Sequence, residues 1–554
     1  MDMMVTKIFL RSSGRKSSKK SLTTMNKKVI IFALLIVLSI HIVFCQSELN
    51  HTSSISVIRV PEDYSIVQEA INAASAGHII IIDSGVYYEN IVISKPISLI
   101  GKSKESTIID GGGIGDVVCI SSAEVKVSGF TIRNSGKNST EETIGDAGVK
   151  MSKVKNCSIS NCIIVDNYFG IYMTLSNNNV LENNTCFKNS GGGMLLFLSC
   201  NNNRLVNNTS MLNGGFGGIL LRESCNFNII ADNICEWNSR WDQHGIKLLD
   251  FCNNNILENN TSVHNGDGIF LLISSNNLII NNILNSNLRA GMQIYIGCVN
   301  NTISNNTCNL NDGGGITLYF SSDNNTIKSN LCSNNSQPGI LLWSCNNNTI
   351  INNTCSFNEV ALEIRCSSSN KVFYNVLSMS YQGVDIGVGG EPEPEQIEHM
   401  REFGIEPRNN SVGNWISWNN ITRNKTGMSI SCGRNQVHWN YIEGNEWGMA
   451  GETPKEEVNV TYNWWGDATG PFHSSENPNG LGNEIHMSGE NVLFKPWWII
   501  RKTTSTSTTS TTTTSIQQAI PNYTSSMFIY SVVVVIIVTV LSVFLYLRRK
   551  REGV

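Results

Sequence analysis

The chain has 554 residues, a net charge of −4 and only 15% charged residues. This balance excludes the broad basic surface on which nucleic-acid-binding proteins depend, so we expect no nucleic-acid partner. The length predicts several segments, and both ends differ in composition from the middle of the chain.

The N-terminus is predicted to be a signal peptide. Lys27 and Lys28 precede the apolar run VIIFALLIVLSIHIVF (29–44), and Cys45 opens a polar stretch. A basic flank followed by an apolar core is typical of secretion signals. We assign residues 1–45 to this signal, with Met25 as a possible true start, and an uncleaved anchor helix is the alternative.

The C-terminus is predicted to anchor the chain in a membrane. Residues 527–547 carry no charge, and RRKRE follows them. A run of this length can span a bilayer of about 30 Å, and the basic tail at 548–554 should stay cytoplasmic. The cell membrane is therefore the expected location, with the ectodomain outside. The Thr/Ser-rich residues 499–526 are too polar to fold and are predicted to form a stalk.

Between the two ends, one pattern rich in asparagine repeats. Copies such as NNNTIINNTCSFN (346–358) align in two columns of small residues, with steps of 23 to 27 residues in the first column. The first column is Cys200, Cys225, Cys252, Ser275, Cys298, Ser322 and Cys345, and the second is Cys186, Ser210, Cys235, Ser262, Leu284, Cys308, Cys332 and Cys355. Two columns that share one period indicate stacked structural units.

Each copy reads as one turn of a parallel β-helix. Short apolar segments are separated by Asn and Gly, and no copy contains a helical stretch. Asparagine tolerates the left-handed backbone angles of tight corners, and stacked asparagines can hydrogen-bond as ladders. We expect Asn352 and Asn353 to lie above Asn305 and Asn306, two coils away.

The repeat raises two questions of covalent chemistry. Asn207, Asn259 and Asn352 begin Asn-x-Thr triplets, which are formal glycan acceptors, although an asparagine in a buried corner cannot carry a glycan. Because Cys alternates with Ser and Leu, the 16 cysteines are predicted to be mostly buried thiols. Vertical disulfides, for example between Cys332 and Cys355, remain an alternative.

Both ends of the repeat region resemble known proteins. The segment VPEDYSIVQEAINAASAGHIIIIDSGVYYENIVISKPISLIG (60–101) resembles the opening of secreted right-handed β-helix proteins, among them NosD-like periplasmic proteins and pectin-modifying enzymes. The segment NWWGDATGPFHSSENPNGLGNEI…NVLFKPWW (463–498) resembles the closing module of NosD-like archaeal cell-surface proteins. The repeats between them resemble the CASH (carbohydrate-binding and sugar-hydrolysis) domain.

The resemblance implies an extracytoplasmic, single-stranded right-handed parallel β-helix over about 55–498. Its members are sometimes polysaccharide enzymes and sometimes accessories to copper-enzyme maturation. The predicted fold is all-β, with an N-terminal capping helix in IVQEAINAA and a C-terminal transmembrane helix. The expected divisions are 55–150 for the cap and first coils, 151–388 for the regular coils, 389–410 for an acidic insertion loop, and 411–498 for the last coils and C-terminal cap.

Three aromatic residues form the predicted substrate-binding strip. Counting from the glycine that opens the last strand of each copy, the second and fourth residues should point outward. The fourth position is Tyr295, Tyr319 and Trp343 in successive copies, and sugars could stack there. Because the second position is often Leu or Phe, the alternative is a covered sheet, either under the 389–410 insertion or in a self-associated assembly.

Four further residues form the predicted catalytic patch, in the enlarged copy at RWDQHGIKLLD (240–250). Glu223, Asp242, His244 and Asp250 are expected near one another, with Arg222 as a further substrate-binding residue. Paired carboxylates with a base suit a glycoside hydrolase, whereas a polysaccharide lyase would use acidic residues with Ca²⁺ and a base. The alternative is a solvated loop with local ion pairs.

No metal site is predicted, because His438, His473 and His486 show no ligand spacing. No cofactor can be named, apart from Ca²⁺ if the chain is a lyase. The first functional interpretation is a membrane-anchored surface glycoprotein that binds a polysaccharide or cell-surface glycan without catalysis, or that contributes to the envelope. The alternatives are a polysaccharide lyase or glycoside hydrolase, and a copper-enzyme accessory protein resembling NosD.

Overall fold

One coil of the chain contains up to three short strands, and each strand pairs in parallel with the equivalent strand of the next coil. The structure is a computed structural model that describes residues 56–141, 144–238, 242–389, 394–487 and 491–499. The predicted signal peptide, transmembrane helix and tail, and nearly all of the stalk, lie outside these residues. Within the described ranges, none of the helices has the length and apolar character needed to cross a membrane.

Repeated coils build three faces. Face 1 is an 18-stranded sheet, face 2 an eight-stranded and a five-stranded sheet, and face 3 a 16-stranded sheet. The strands of face 1 are Val57–Val60, Ile79–Ile82, Ser98–Gly101, Lys126–Ser128, Ser158–Ser160, Val180–Glu182, Arg204–Val206, Ile229–Ala231, Ile256–Glu258, Leu278–Ile280, Thr302–Ser304, Thr326–Lys328, Thr349–Ile351, Lys371–Phe373, Trp415–Ser417, Gln436–His438, Val458–Asn459 and Val492–Leu493.

The other two faces follow in each coil. The strands of face 2 are Gly85–Tyr88, Thr107–Asp110, Thr131–Arg133, Ile163–Val165, Thr185–Phe187, Thr209–Met211, Ile234–Glu236 and Thr261–Val263, then Leu331–Ser333, Thr354–Ser356, Val376–Ser378, Asn420–Thr422 and Tyr441–Glu443. The strands of face 3 are Ile91–Ile93, Val118–Ile120, Ala147–Ser152, Phe169–Thr174, Gly192–Phe197, Gly217–Arg222, His244–Leu249, Ile269–Leu272, Met292–Tyr295, Ile316–Tyr319, Ile340–Trp343, Val360–Arg365, Gln382–Gly387, Thr426–Ile430, Trp447–Ala450 and Ile485–His486. A small antiparallel hairpin, Ser139–Glu141 with Ile144–Gly145, projects from one coil.

The predicted capping helix is confirmed as α1, Val67–Ala73. Its residues Val67, Ala70 and Ile71 are buried against the first strands, so the open end of the core is covered. At the other end Trp465 is fully buried, which supports the predicted C-terminal cap. The second helix, α2 (Pro394–Glu402), lies inside the segment expected to be an insertion loop.

Side chains alternate between the core and the surface on every strand. On the face 3 strand Ile316–Tyr319, Ile316 and Leu318 belong to the main core, whereas Thr317 and Tyr319 are outside it. The outward positions predicted by counting from the glycine are therefore confirmed. The fifteen described cysteines are all free thiols, and all but Cys119 are buried, as expected of small core residues.

One stacking position was assigned wrongly. The backbone N–H of Cys252 donates to the Ser274 hydroxyl (3.2 Å), and the Ser274 N–H donates to the Cys298 sulfur (3.2 Å). Ser274, not Ser275, therefore belongs to the first column of small residues. The sequence offers two adjacent serines there, and only the observed corner shows which one turns inward.

The asparagine ladders are confirmed, and there are three of them, one at each corner of the coil. At the corner between faces 1 and 2, Asn306 accepts from the Asn282 N–H and donates to Asn330 Oδ1, and Asn330 in turn donates to Asn353. This ladder runs through Asn184, Asn208, Asn233, Asn260, Asn282, Asn306, Asn330, Asn353, Asn375, Asn419, Asn440 and Asn463.

Candidate functional site

The residues singled out for function lie on the outer surface of face 3 or near the ends of its strands. Two rows of side chains run along it, at the second and fourth positions of each strand. In register, the second position is Lys247, Phe270, Gln293, Thr317, Leu341, Glu363 and Asp385, and the fourth is Arg222, Leu249, Leu272, Tyr295, Tyr319, Trp343 and Arg365. The face is thus apolar in parts. Its three polar regions lie around Arg222, around His244 and around the Glu363–Asp385 pair.

The aromatic strip consists of Tyr295, Tyr319 and Trp343. Successive ring centroids are 5.9 Å apart in both steps, and the ring planes are inclined by 62° and 49°. The side chains are half-buried. Burial raises the pKa of the Tyr319 phenol to about 12 and also raises the pKa of Tyr295. Both phenols are therefore neutral donors at neutral pH.

A strap formed by residues 394–408 packs on this strip. Met400 of α2 is fully buried and joins Ile296 and Phe320 in a cluster against which Ile405 and the aromatic strip pack. Arg408 fixes the end of the strap, since its two terminal nitrogens lie 2.8 and 2.9 Å from the Asp323 carboxylate. The insertion therefore covers part of face 3, as one of the two sequence interpretations expected.

The apolar outward residues nearer the N-terminus are also buried within one chain. Leu195 and Leu220 are at most 1% exposed and cluster with Phe169 and Phe216. This burial leaves little of that region exposed for the predicted self-association, which stays a prediction.

Two of the four predicted catalytic residues lie close together. Arg222 Nε is 3.1 Å from Asp250 Oδ2 and 4.0 Å from Glu223 Oε1. The carboxylates of Glu223 and Asp250 therefore share one guanidinium, at a corner where both residues have positive φ angles. Asp242 is exposed, and His244 is buried in a different environment. This arrangement resembles the local ion-pair alternative, and catalysis at this patch stays a prediction.

His244 contacts Asp267, a residue that sequence reasoning missed. Nδ1 of His244 accepts the Asp267 backbone N–H (3.3 Å) and lies 3.1 Å from Asp267 Oδ2. Asp267 is fully buried, and its Oδ1 accepts the Ala290 N–H at 2.8 Å. In the part of the chain that the structure describes, Oδ2 has no hydrogen-bond partner. Nδ1 accepts the Asp267 N–H when it is unprotonated, whereas a proton on Nδ1 would donate to Oδ2 and leave the lone pair on Nε2.

The surroundings of this pair decide its charge. Burial lowers the pKa of His244 and outweighs the opposing effect of Asp267, so the imidazole is neutral at neutral pH. The ring stacks on Phe270, with centroids 4.8 Å apart. Arg289 approaches the same carboxylate oxygen (3.7 Å) and donates to Gln293 Oε1 (2.8 Å). We call His244, Asp267, Arg289 and Gln293 the basic cluster.

At the other end of the strip, two carboxyl groups are neighbours on adjacent strands. Glu363 pairs in register with Asp385, and the Glu363 carboxylate contacts Arg365. Glu363 is 2% exposed. Desolvation raises its pKa to about 7 against the opposing effect of Arg365, and desolvation also raises the pKa of Asp385. A carboxyl group with this pKa can give or take a proton near neutral pH. Sequence reasoning missed both residues because it ended the outward count at Trp343.

The remaining candidate chemistry finds no site on this surface. Among the described residues, no three His, Cys, Asp or Glu side chains converge as metal ligands. His438 contacts Thr461 and Gln436, His486 contacts Glu484, and His473 accepts the Glu476 N–H in the cap. A cleft of about 630 Å³ lies elsewhere, beside the C-terminal cap, and is lined partly by Arg423 and Glu443.

Comparison with known proteins gives the family and the fold. The family model described as right handed beta helix region matches residues 101–262, 213–355 and 262–395. No curated protein matches the chain. Among solved structures, the Azotobacter vinelandii mannuronan C-5 epimerase AlgE6 A-module is 14% identical, with a TM-score of 0.31 over 72% of this chain and 93% of that chain.

Two other solved structures are similar at the same level. The periplasmic alginate epimerase AlgG is 14% identical, with a TM-score of 0.39 over 69% of this chain and 80% of that chain. The alginate lyase from Paenibacillus sp. str. FPU-7 is 13% identical, with a TM-score of 0.35 over 52% of this chain and 98% of that chain. These similarities concern the fold alone.

Proposed function

The chain belongs to the right-handed β-helix family, and we propose that it binds a polysaccharide along the second-position row of face 3, beside the strap, from the basic cluster to the Glu363–Asp385 pair. The observation that carries this proposal is the presence of buried ionisable groups at outward positions. His244, Asp267 and Glu363 are each at most 4% exposed. Burying such groups costs free energy, and their partners hold them in fixed positions, as a recognition site requires.

The order of side chains along face 3 supports an elongated, anionic ligand. Lys247 and Arg289 supply positive charge at one end, and Asp267, which Arg289 approaches at 3.7 Å, is also engaged by His244 and by the Ala290 N–H. An Arg guanidinium suits a planar carboxylate such as that of a uronic acid. Each coil advances by about 4.8 Å, close to the length of one sugar ring, so the coils can offer one contact per ring.

The proposal includes the location of the protein. The signal peptide, the Thr/Ser-rich stalk and the apolar run at 527–547 support a β-helix that is secreted and held at the cell membrane. In that position face 3 would meet envelope or extracellular glycans. The copper-accessory alternative has no supporting observation in the described residues.

The test is binding of the full chain to a panel of neutral and anionic polysaccharides, with retention and new reducing ends measured together. We expect retention by an anionic polymer without cleavage. Arg289→Gln should weaken retention by about 10-fold or more, because a charge-assisted hydrogen bond contributes roughly 1.5–3 kcal/mol. Arg204→Gln is the matched control, since Arg204 is exposed on face 1. No retention by any polymer, or equal losses in the two variants, would refute the proposal.

A polysaccharide lyase is the second candidate, favoured by the His244–Asp267 contact. In the tautomer whose Nδ1–H donates to Asp267, the Nε2 lone pair can take the proton next to the carboxyl group of a uronic acid. The C–H electrons then form a C=C bond, the bond to the neighbouring sugar oxygen breaks, and that oxygen takes a proton. Arg289 would neutralise the carboxylate of the substrate. This reaction gives one unsaturated end per new reducing end, whereas hydrolysis gives reducing ends without unsaturation.

The two candidates are separated by one pair of variants. If the chain is a lyase, His244→Gln and Asp267→Asn abolish the ultraviolet absorbance of unsaturated ends, even on polymer that the variants still retain. If it only binds, the wild-type chain produces no unsaturated ends on any polymer that it retains.

A further inference from the structure

The paired asparagines of each coil have two different environments. At the corner between faces 1 and 2, the second asparagine is buried in the ladder, and the first lies just outside it. The first residue has a positive φ angle on every coil of this ladder, between 54° and 60°. Where it is asparagine it is exposed, and among the described residues its side-chain amide has no hydrogen-bond partner. The buried member cannot react, whereas the exposed member can.

Coils that have this exposed asparagine mostly have threonine two residues after it. Twelve coils have a ladder asparagine at this corner, and six of them have asparagine before it, five of which continue with threonine. These five are Asn183, Asn207, Asn259, Asn305 and Asn352. In the other six coils, Asp, Ser, Tyr or Trp precedes the ladder asparagine, and none of these coils has threonine two residues after that position.

The fold does not require this coincidence. Other coils carry Ile234, Ile283 and Leu331 at the threonine position, with 39% to 45% of the side chain exposed. Aromatic residues occupy the left-handed position in later coils, for example Trp418 and Trp439. Each position therefore accepts other residues, yet Asn and Thr occur together, as the acceptor triplet for N-linked glycans requires.

We propose that Asn183, Asn207, Asn259, Asn305 and Asn352 carry N-linked glycans. The asparagine Nδ2 forms a bond to the anomeric carbon of an oligosaccharide while the bond from that carbon to a lipid diphosphate breaks. The lipid diphosphate leaves, and the transferase takes the amide proton. The modification requires the export proposed above, because the donor is a lipid-linked oligosaccharide on the outer side of the membrane.

The spacing and position of these sites are compatible with occupancy. From Asn207 to Asn352 the acceptors recur on every second coil, roughly 10 Å apart. They lie at the corner opposite face 3, so the glycans leave the proposed polysaccharide site open. Three more exposed triplets begin at Asn300, Asn324 and Asn347 on successive coils of the corner between faces 3 and 1. They lie about 4.8 Å apart, the spacing that also separates Asn183 from Asn207 on successive coils, so occupancy at both sets shows whether adjacent coils can both carry a glycan.

The full chain is expressed in a host with N-linked glycosylation. A reporter triplet is added to the stalk, which precedes the anchor and lies on its lumenal side. Glycopeptide mass spectrometry before and after amidase treatment reads each site. We expect Thr261→Ile, which installs the residue that the next coil carries, to remove the glycan at Asn259 and no other. We also expect Ile283→Thr to add a new glycan at Asn281, which has the same exposed left-handed conformation.

The reporter separates two kinds of failure. If the reporter is glycosylated and the five corner sites are bare in a folded chain, the glycan assignment is wrong. If the reporter is also bare, the chain is not exported in the orientation on which the assignment rests, which equally rejects the modification. A glycan gained at Asn281 in Ile283→Thr confirms that asparagines at this corner can be glycosylated. This result does not depend on whether Thr261→Ile folds.

Discussion

The two asparagines of each pair have different structural roles, one in the backbone conformation of the corner and the other in its buried hydrogen bonds. The first residue adopts the left-handed conformation at the corner, which asparagine tolerates better than most side chains. The second uses its amide to saturate buried backbone groups of the adjacent coils. In the last coils Trp418, Trp439 and Tyr462 take the first position, and their rings stack at 5.7 and 5.0 Å. Stacking there offsets the conformational cost that asparagine largely avoids.

The two members of a pair should therefore differ in their effect on stability. Asn306 accepts from the Asn282 N–H and side-chain amide and donates to Ile279 O and Asn330 Oδ1. Asn306→Ala leaves at least two buried groups unsatisfied and should lower the free energy of unfolding by about 2–5 kcal/mol. Asn305→Gly, which keeps the left-handed angle, should cost less than about 1 kcal/mol.

Urea unfolding of unglycosylated protein checks this difference, together with hydrogen exchange at the Asn282 amide. Exchange gives a local readout, because a solenoid can depart from two-state unfolding. Equal losses in the two variants would contradict the division of tasks.

Glu363 should make stability depend on pH. Its pKa is about 7 in the folded chain and 4.5 as the ordinary value, so the folded state holds a proton that the unfolded chain releases. Its contribution is complete below pH 4.5 and is lost as the pH rises through 7. The free energy of unfolding of the wild-type protein should therefore fall between pH 5 and pH 8, by on the order of 3 kcal/mol, relative to that of Glu363→Gln. Denaturation of both proteins at pH 5, 6, 7 and 8 gives the comparison, and a parallel pH dependence in the variant would rule out this source.

The basic cluster was only partly predictable from the sequence. His244 was named, but Asp267 was not, although each directly precedes the glycine that opens a strand of face 3. Counting one residue back from those glycines would have aligned His244, Asp267 and Ala290. The outward count after the glycine missed them because this position lies at the entry to the strand, where period-2 alternation begins. The buried state of Asp267 depends on neighbouring coils and could not be read from its own segment.

At the scale of elements, the strap is the main departure from a regular solenoid. Sequence composition indicated an irregular insertion, because EPEPEQIEHMREF is charged and contains two prolines. The helix α2 forms nevertheless, since Met400 buries its side chain on Ile296 and Phe320. Tertiary packing overrides a weak local signal here. The choice of face could be predicted from the apolar outward row, whereas the ion pair of Arg408 joins positions 85 residues apart and has no local pattern.

Loss of the strap anchor should expose the aromatic strip without unfolding the coils. Arg408 also donates to Ser344 O at 3.0 Å, so Arg408→Ala removes three hydrogen bonds that hold the strap. Proteolytic cleavage between residues 390 and 410 should accelerate by about 10-fold or more. Acrylamide should quench Trp343 fluorescence more strongly, while the melting of the β-helix stays within a few degrees.

Arg434→Ala is the control for this variant. Arg434 pairs with Glu456, but the two side chains are 73% and 50% exposed, and exposed ion pairs contribute little. If Arg434→Ala accelerates cleavage as much as Arg408→Ala does, the strap is not held by the Asp323 contact.

For the whole molecule, the fold follows from nearest-neighbour contacts between coils. Periodicity alone predicted the stack, because a repeated coil must bury its apolar face on the next one. Handedness needed the resemblance at the two ends of the repeat region. The membrane anchor and stalk remain predictions from composition, since residues 500–554 lie outside the described ranges.

A solenoid of this kind should tolerate the removal of one complete coil. Trp415 and Gln436 occupy equivalent positions on successive coils, so deletion of residues 415–435 brings Gln436 beside Lys371 and rejoins the two asparagine ladders that continue through Asn440 and Asn445. The product should remain folded, with a melting temperature a few degrees lower and a length shorter by about 4.8 Å. Deletion of residues 415–424 alone should instead misalign faces 2 and 3 with the coils below and expose core residues such as Met428, which is fully buried. Circular dichroism, thermal melting and small-angle scattering distinguish the two products. A full-coil deletion that unfolds as completely as the partial one would mean that long-range contacts, not neighbouring coils, determine the fold.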